Sequence, residues 1–136
     1  MTLAEASTVL GEQLTPGEEE SAPGCSYIYP KTLPRGAALM VIDGRIERID
    51  VDSAGILATT GAGVGSTEAA IGAMFPGRVS VEPHPYDPPP NYHDLIVESE
   101  LASDSMFGMV FETDGKLVYQ YRAGRKPAVL AMEGCS

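Results

Sequence analysis

The stretch GVGSTEAAIGAMFPG, residues 63–77, has the pattern of a short helix with a defined start and end. Thr67 is a residue type that caps helix N-termini, and an acidic residue follows it where the helix dipole favours negative charge. Ile71, Met74 and Phe75 recur at helical spacing, so one face of this helix is apolar and needs a sheet to pack on. The closing Pro-Gly pair stops the helix. The segment therefore predicts a short amphipathic helix that covers strands.

The first eleven residues have the same pattern. Thr2 and Glu5 form a capping-box pair, apolar residues follow at helical spacing up to Leu10, and Gly11 can end the helix. Thr2 lies 65 positions before Thr67. A second short helix is therefore predicted near the N-terminus, over Thr2–Leu10.

Two Asp-Gly pairs, Asp43-Gly44 and Asp114-Gly115, stand 71 positions apart, each between two apolar runs. An Asp-Gly pair in this setting is a strong hairpin signal. Each half of the chain thus contains a helix, strands and a hairpin, and one such half cannot bury its own apolar surface. We predict a single domain, 1–136, built of two repeats at about 1–55 and 56–136. The alternative is a coincidence between two common motifs.

Short β-rich segments fill the rest of the chain. Gly and Pro together account for 26 of the 136 residues, which favours short strands and turns over long helices. The predicted strands are 27–29, 37–43, 45–52, 79–82, 92–98, 107–112 and 116–122. The predicted fold is α+β: two tandem helix-plus-strand units share one antiparallel sheet, with the helices on one face.

The helix element Gly63–Gly77 resembles the G-M-T-x-x-x-V-x-x-x-(L/Y)-G-x-P signature of the superfamily that contains the β-lactamase inhibitor protein and the SmpA/OmlA outer-membrane assembly lipoproteins. Met1-Thr2, with the helix that ends at Leu10-Gly11, resembles a first copy without its leading Gly. The tandem arrangement is similar to the duplicated inhibitor protein. Ser66 stands where that signature has Met, and Ala70 stands where Gln or Glu would complete a capping box.

A further resemblance joins the chain to uncharacterised secreted bacterial proteins that carry related stretches at Gly65–Gly77, Val110–Gly115 and Glu133–Cys135. That group brings no function with it. The superfamily resemblance implies helix-loop units backed by antiparallel strands, and a sheet face that binds another protein.

The charge of the chain excludes some partners. With 9 Lys and Arg against 19 Asp and Glu, the net charge is −10, which repels nucleic acid and anionic membranes. No apolar run approaches the roughly 20 residues of a membrane helix, so we expect no transmembrane segment. We expect a protein partner, and a basic one, because opposite charge steers encounter.

The two cysteines, Cys25 and Cys135, have no CxxC spacing and no His-rich surroundings. We predict that they form a disulfide; two buried free thiols are the alternative. A disulfide indicates an oxidising compartment, so the protein is expected to be secreted, periplasmic or at the cell surface. That localisation requires an upstream signal or lipoprotein segment absent from this chain.

Two histidines, His84 and His93, fall with several carboxylates and tyrosines around one Pro-rich loop. The neighbours in question are Glu82, Tyr86, Asp87, Tyr92 and Asp94. Such a group could hold a metal or carry acid-base chemistry, but its spacing matches no zinc-enzyme pattern, and a stiff surface loop explains it equally well. No serine-hydrolase elbow, P-loop or dinucleotide fingerprint is present. We therefore predict no catalytic residue, no metal and no cofactor.

The tyrosines give the best functional hint. Tyr27 and Tyr29 are spaced i, i+2, as are Tyr119 and Tyr121, so each pair is expected on one strand face. Tyrosine is common in protein interfaces, although tyrosines packed beneath a helix would look the same. The predicted partner-binding residues are Tyr27, Tyr29, Tyr86, Tyr92, Tyr119 and Tyr121.

These observations predict a secreted or envelope protein-binding module, inhibitor-like or an assembly accessory, that uses the exposed sheet face and loops. It is not expected to be an enzyme. The alternatives are a small hydrolase or metal-binding protein using the His84/His93 loop, and a purely structural accessory domain.

Overall fold

The computed structural model describes residues 1–18, 22–85 and 91–135, and both predicted helices and all the predicted strands are present in these ranges. The helices are α1 (Leu3–Leu10) and α2 (Glu68–Met74). The strands are β1 (Cys25–Ile28), β2 (Ala37–Ile42), β3 (Arg45–Val51), β4 (Val79–Pro83), β5 (His93–Glu98), β6 (Phe107–Thr113) and β7 (Val118–Arg125). Two single 3₁₀ turns lie at Ala102–Asp104 and Ala128–Leu130. The α+β class is confirmed, with the sheet as its larger part.

Helix α1 begins and ends as its sequence predicts. The Thr2 hydroxyl accepts a hydrogen bond from the Glu5 backbone N–H at 3.2 Å, and the Glu5 carboxylate accepts one from the Thr2 N–H at 3.4 Å. Gly11 ends the helix in the left-handed conformation at φ 66°, where a residue without Cβ is unstrained. In α2 the Thr67 hydroxyl likewise accepts from the Ala70 N–H at 3.0 Å. Both helices are too short to persist alone, so packing on the sheet maintains them.

All seven strands of the described residues form one antiparallel sheet in the order β1-β2-β3-β7-β6-β5-β4. Both predicted Asp-Gly hairpins are confirmed. Asp43 and Gly44 have φ of 49° and 78°, as a two-residue turn requires. The second turn is longer, and the Asp114 carboxylate accepts the N–H groups of Lys116 and Leu117. The halves of the chain meet at the centre of the sheet, where β3 pairs with β7.

The start of each helix is joined to a hairpin by two backbone hydrogen bonds, which have the same pattern in both cases. In the first half, Leu3 N–H donates to Gly44 O and Ile46 N–H donates to Met1 O. These bonds make Thr2 a bridge partner of Arg45.

The second half repeats this arrangement. Glu68 N–H donates to Lys116 O, and Val118 N–H donates to Ser66 O. Thr67 is thereby a bridge partner of Leu117. Each cap threonine thus pairs with a residue that closely follows an Asp-Gly turn.

The two helices pack on the same face of the sheet, which we call the helix face. Two apolar clusters lie there, one around α1 and one around α2, and Ile49 of β3 contacts both. The α1 cluster contains Ala6, Leu14, Ile28, Leu39 and Val41. The α2 cluster contains Val51, Ala62, Ile71, Phe75, Leu95, Val97, Phe111, Val118 and Tyr121. No helix among the described residues is long and apolar enough to cross a membrane.

Candidate binding cleft and buried polar network

The opposite face of the sheet, which we call the polar face, carries a row of charged and polar side chains. The register places Asp50 opposite Arg122, Gln120 opposite Glu112, and Glu112 opposite Asp94. Directly opposed residues of antiparallel strands project to the same side of the sheet. The row therefore crosses β3, β7, β6 and β5 on the side away from the helices.

The C-terminal segment, residues 127–135, lies over one part of the polar face and is bound there by two buried arginines. Arg48 donates to Ala128 O at 2.8 Å and to Ala131 O at 2.5 Å. Arg122 donates through Nε to Val129 O at 2.6 Å. Because the arginines bind backbone carbonyls of this segment, their charged groups are satisfied in the interior instead of by water.

The disulfide Cys25–Cys135 fixes the end of this segment to β1. Its two Cα atoms are 5.4 Å apart, and the bridge spans 110 positions of sequence. The predicted pairing is confirmed, and the described residues contain no free cysteine. Met40 and Ala128 pack around the bridge to form a small third apolar cluster.

A compact acid-base group, the His84 cluster, lies at the other end of the polar row: His84, Asp94, Glu112 and Arg122. His84 Nε2 is 2.8 Å from Glu112 Oε1 and 3.8 Å from Asp94 Oδ1. Arg122 Nη1 is 3.1 Å from Glu112 Oε2. The side chains of His84, Asp94 and Glu112 are 6%, 8% and 4% exposed. Among the described residues, His84, Asp94 and Glu112 are the one group of three whose ligand atoms could hold a metal ion.

The two histidines do not share a site, so the alternative that places His84 and His93 in one site is wrong. His93 is paired with Pro83 and Thr113, and its ring Nδ1 is 2.7 Å from Glu68 Oε1 at the start of α2 on the helix face. His84 lies on the polar face. The alternation of side chains along a strand separates them, because His93 and Asp94 point to opposite sides. Tyr86 and Asp87 lie outside the described residues.

An open cleft of about 510 Å³ lies on the polar face between the sheet and the end of the C-terminal segment. Its floor includes Asp50, Glu112 and Gln120, and one wall is formed by Met132, Glu133 and Gly134. Tyr27, Tyr29, Arg35, Asp52, Ser53 and Arg122 are also part of its lining. The lining mixes aromatic, acidic and basic groups.

The predicted binding tyrosines have different environments. Tyr29 is 73% exposed at the cleft, while Tyr27 is half-buried and its hydroxyl accepts a hydrogen bond from Arg48 Nη2 at 2.9 Å. Tyr92 is half-buried, and its ring contacts that of Tyr119, with the centroids 6.0 Å apart.

Tyr121 belongs to the core. It is 6% exposed, stacks on Phe111 at 5.2 Å between centroids, and donates its hydroxyl to Ile56 O. Tyr119 and Tyr121 do not form the predicted one-sided pair, because a β-bulge intervenes. Gln120 is opposite Glu112 but Val118 is opposite Thr113, so Tyr119 is the extra residue.

Burial raises the pKa of the Tyr27 hydroxyl from 10.0 to about 12; the Asp50 carboxylate adds to this shift and Arg48 opposes it. Spectrophotometric titration should show one tyrosine ionising near pH 12 that is missing from Tyr27→Phe. Between pH 10 and 12 the folded chain holds a proton that the unfolded chain has lost. The free energy of unfolding should therefore fall as pH rises through that window, and fall less in Tyr27→Phe. If the absorbance that Tyr27→Phe loses titrates near pH 10 in the wild type instead, this environment is contradicted.

No protein-family model, curated protein or solved structure matches the chain. The interpretation of the cleft and of the His84 cluster therefore depends on their own chemistry.

Proposed function

We propose that this chain is a protein-binding module of an extracytoplasmic compartment, and that it recognises its partner through the cleft on the polar face. The observation that carries the proposal is Tyr29, a large aromatic side chain 73% exposed at the mouth of a cleft with convergent polar groups. Exposed tyrosines beside a concavity are common anchors in protein interfaces. Inhibition of the partner or assistance in its assembly are the candidate outcomes.

The charge of the cleft favours a partner segment with basic or hydroxyl groups. Arg48 and Arg122 are committed to backbone carbonyls, so they offer little charge to a ligand. Asp52 and Glu133 are exposed at the rim, with Arg35 as the exposed cation of the lining. Together with the net charge of −10, this composition favours approach of a basic surface.

The disulfide supports a secreted, periplasmic or cell-surface location. A bridge between Cys25 and Cys135 persists in oxidising compartments and is reduced in most cytosols. The proposal therefore includes an upstream export or lipid-anchoring segment.

We also infer that the chain arose by duplication. It consists of two tandem units, about 1–55 and 56–136, of the kind found in the β-lactamase inhibitor superfamily. The bridge pairs Thr2–Arg45 and Thr67–Leu117 support it, since they place corresponding residues in corresponding contacts. Arg45 and Leu117 are 72 positions apart, and so are Asp50 and Arg122, which face each other where the halves meet. In a two-fold arrangement residue i of one unit contacts j of the other and j contacts i, so a residue on the axis faces its own equivalent.

We do not propose catalysis. The His84 imidazole is 6% exposed and bonded to Glu112, so a substrate would have to displace a buried hydrogen bond to reach it. The hydrolase alternative needs both histidines in one site, and His93 lies on the helix face instead.

The binding proposal is tested with the oxidised chain immobilised on a resin and challenged with cell-envelope extract, followed by mass spectrometry. Affinity for the captured partner should weaken about 30-fold in Tyr29→Ala, the effect of losing one anchor residue. Val81→Ala is the matched control, since Val81 is 57% exposed on β4 and belongs to the helix face. Recovery of background proteins only, or equal affinity of wild type and Tyr29→Ala, would favour a structural accessory role instead.

A further inference from the structure

The backbone of three neighbouring strands fixes the positions of His84, Asp94 and Glu112. Asp94 of β5 and Glu112 of β6 are directly opposite one another in register. His84 follows β4 by one residue, and its N–H donates to Tyr92 O at 3.0 Å, which continues the β4–β5 ladder. Side chains held by sheet positions keep a constant geometry, which a preformed binding site needs.

The distances within this group match those around a tetrahedral metal ion. With metal–ligand bonds of about 2.0–2.1 Å, two ligand atoms of a tetrahedral site lie about 3.3 Å apart. His84 Nε2 is 2.8 Å from Glu112 Oε1 and 3.8 Å from Asp94 Oδ1, and all three ligand atoms lie within 4.8 Å of one another. Shifts of about half an ångström would bring His84 Nε2 to that spacing from both carboxylate oxygens.

The charges of the group also favour a cation. Asp94 and Glu112 are both more than nine-tenths buried, and like charges at this separation repel strongly away from water. A proton on His84 Nε2 can be donated to one carboxylate at a time, whereas a metal ion between the three atoms binds all of them.

Arg122 and Gln120 orient the carboxylate of Glu112 without binding Oε1, the oxygen that faces His84. Both donate to Oε2, Arg122 at 3.1 Å, and this leaves Oε1 directed at His84. Hydrogen bonds to the outer atom of a ligating carboxylate are a regular feature of metal sites, because they hold the ligand in position.

We propose that His84, Asp94 and Glu112 bind one divalent transition-metal ion of the Zn²⁺ class. This differs from the prediction of no metal made from the sequence, and it does not depend on the protein-binding proposal, although Glu112 also lines the cleft. One imidazole with two carboxylates suits Zn²⁺ or Mn²⁺, while Ca²⁺ and Mg²⁺ prefer sites made of oxygen alone. Three protein ligands leave a fourth position open, as in zinc sites that hold a water molecule or an incoming donor group.

Calorimetric titration of the untagged, chelator-treated, oxidised chain with Zn²⁺ tests the proposal. We expect one equivalent to bind with micromolar or tighter affinity and to raise the melting temperature, and Ca²⁺ and Mg²⁺ to do neither. His84→Gln and Asp94→Asn should each weaken binding by at least about tenfold, because loss of even an outer hydrogen-bond partner of a metal ligand costs that much affinity. His93→Gln is the matched control and should bind as the wild type does, and no thiol competes because both cysteines are oxidised.

Co²⁺ added to the wild-type chain supplies a second readout that needs no variant. A tetrahedral site with one nitrogen and two oxygen ligands should produce visible d–d absorption bands that Zn²⁺ abolishes. The proposal is overturned if Zn²⁺ gives neither heat nor a melting shift at millimolar concentration. It is equally overturned if His93→Gln loses binding while His84→Gln retains it, or if Co²⁺ gives only the weak spectrum of the hydrated ion.

Discussion

Replacement of Arg122 by Met should lower the free energy of unfolding by about 3–5 kcal/mol, the cost of leaving one member of a buried ion pair without the other. Arg122 and Glu112 are 5% and 4% exposed and 3.1 Å apart. Burial lowers the pKa of the Arg122 guanidinium, and Glu112 opposes that shift, which indicates how strongly the fold desolvates this charge. The substitution also leaves Val129 O without its donor. Urea denaturation measures the loss.

Arg125→Met serves as the control for the same strand. Arg125 is exposed, so its replacement should change the free energy of unfolding by no more than about 0.5 kcal/mol. The double variant Arg122→Met, Glu112→Gln should recover part of the loss, because it leaves no unpaired carboxylate. A single Arg122→Met variant within 1 kcal/mol of the wild type would mean that the buried pair contributes no more than a surface one.

Reduction of the Cys25–Cys135 bridge should lower the free energy of unfolding by about 4–5 kcal/mol, the chain-entropy value for a loop of roughly 100 residues. The bridge closes a loop of 110 positions, so cutting it raises the conformational entropy of the unfolded chain. Urea midpoints with and without dithiothreitol measure the effect and keep both cysteines in place, so that core packing is unchanged.

The double variant Cys25→Ala, Cys135→Ala is the control for the reductant, and its midpoint should not respond to dithiothreitol. A wild-type midpoint that is equally insensitive would show that the buried arginines hold the C-terminal segment on the sheet without the bridge.

Local signals were sufficient to predict the elements of this fold. The capping pair at Thr2 and Glu5, the cap at Thr67 and the two Asp-Gly turns act through contacts a few residues apart, and all of them are found where predicted. The disulfide could also be predicted, because only two cysteines exist to pair.

The site depends on register, which the sequence does not display. Arg48 and Asp50 alternate with apolar neighbours on β3, a pattern that equally fits a solvated strand face. It is the C-terminal segment, about 80 positions away, that buries Arg48 to 5% exposure. Glu112 looks like a polar residue before a turn until β5 and β7 place Asp94 and Gln120 beside it. The bulge at Tyr119 likewise arises from pairing, and it overrides the alternation that put Tyr119 and Tyr121 together.

Arg48 and Arg122 hold the C-terminal segment through its main chain, since the atoms they contact are the carbonyl oxygens of Ala128, Val129 and Ala131. Side chains at exposed positions such as Leu130 can therefore be exchanged without loss of this attachment. The spacing between Ala128 and Ala131 has no such freedom, because an inserted or deleted residue would shift these carbonyls relative to the two guanidinium groups. The C-terminal segment therefore tolerates changes of side chain but not changes of length. New binding side chains can be grafted at its exposed positions.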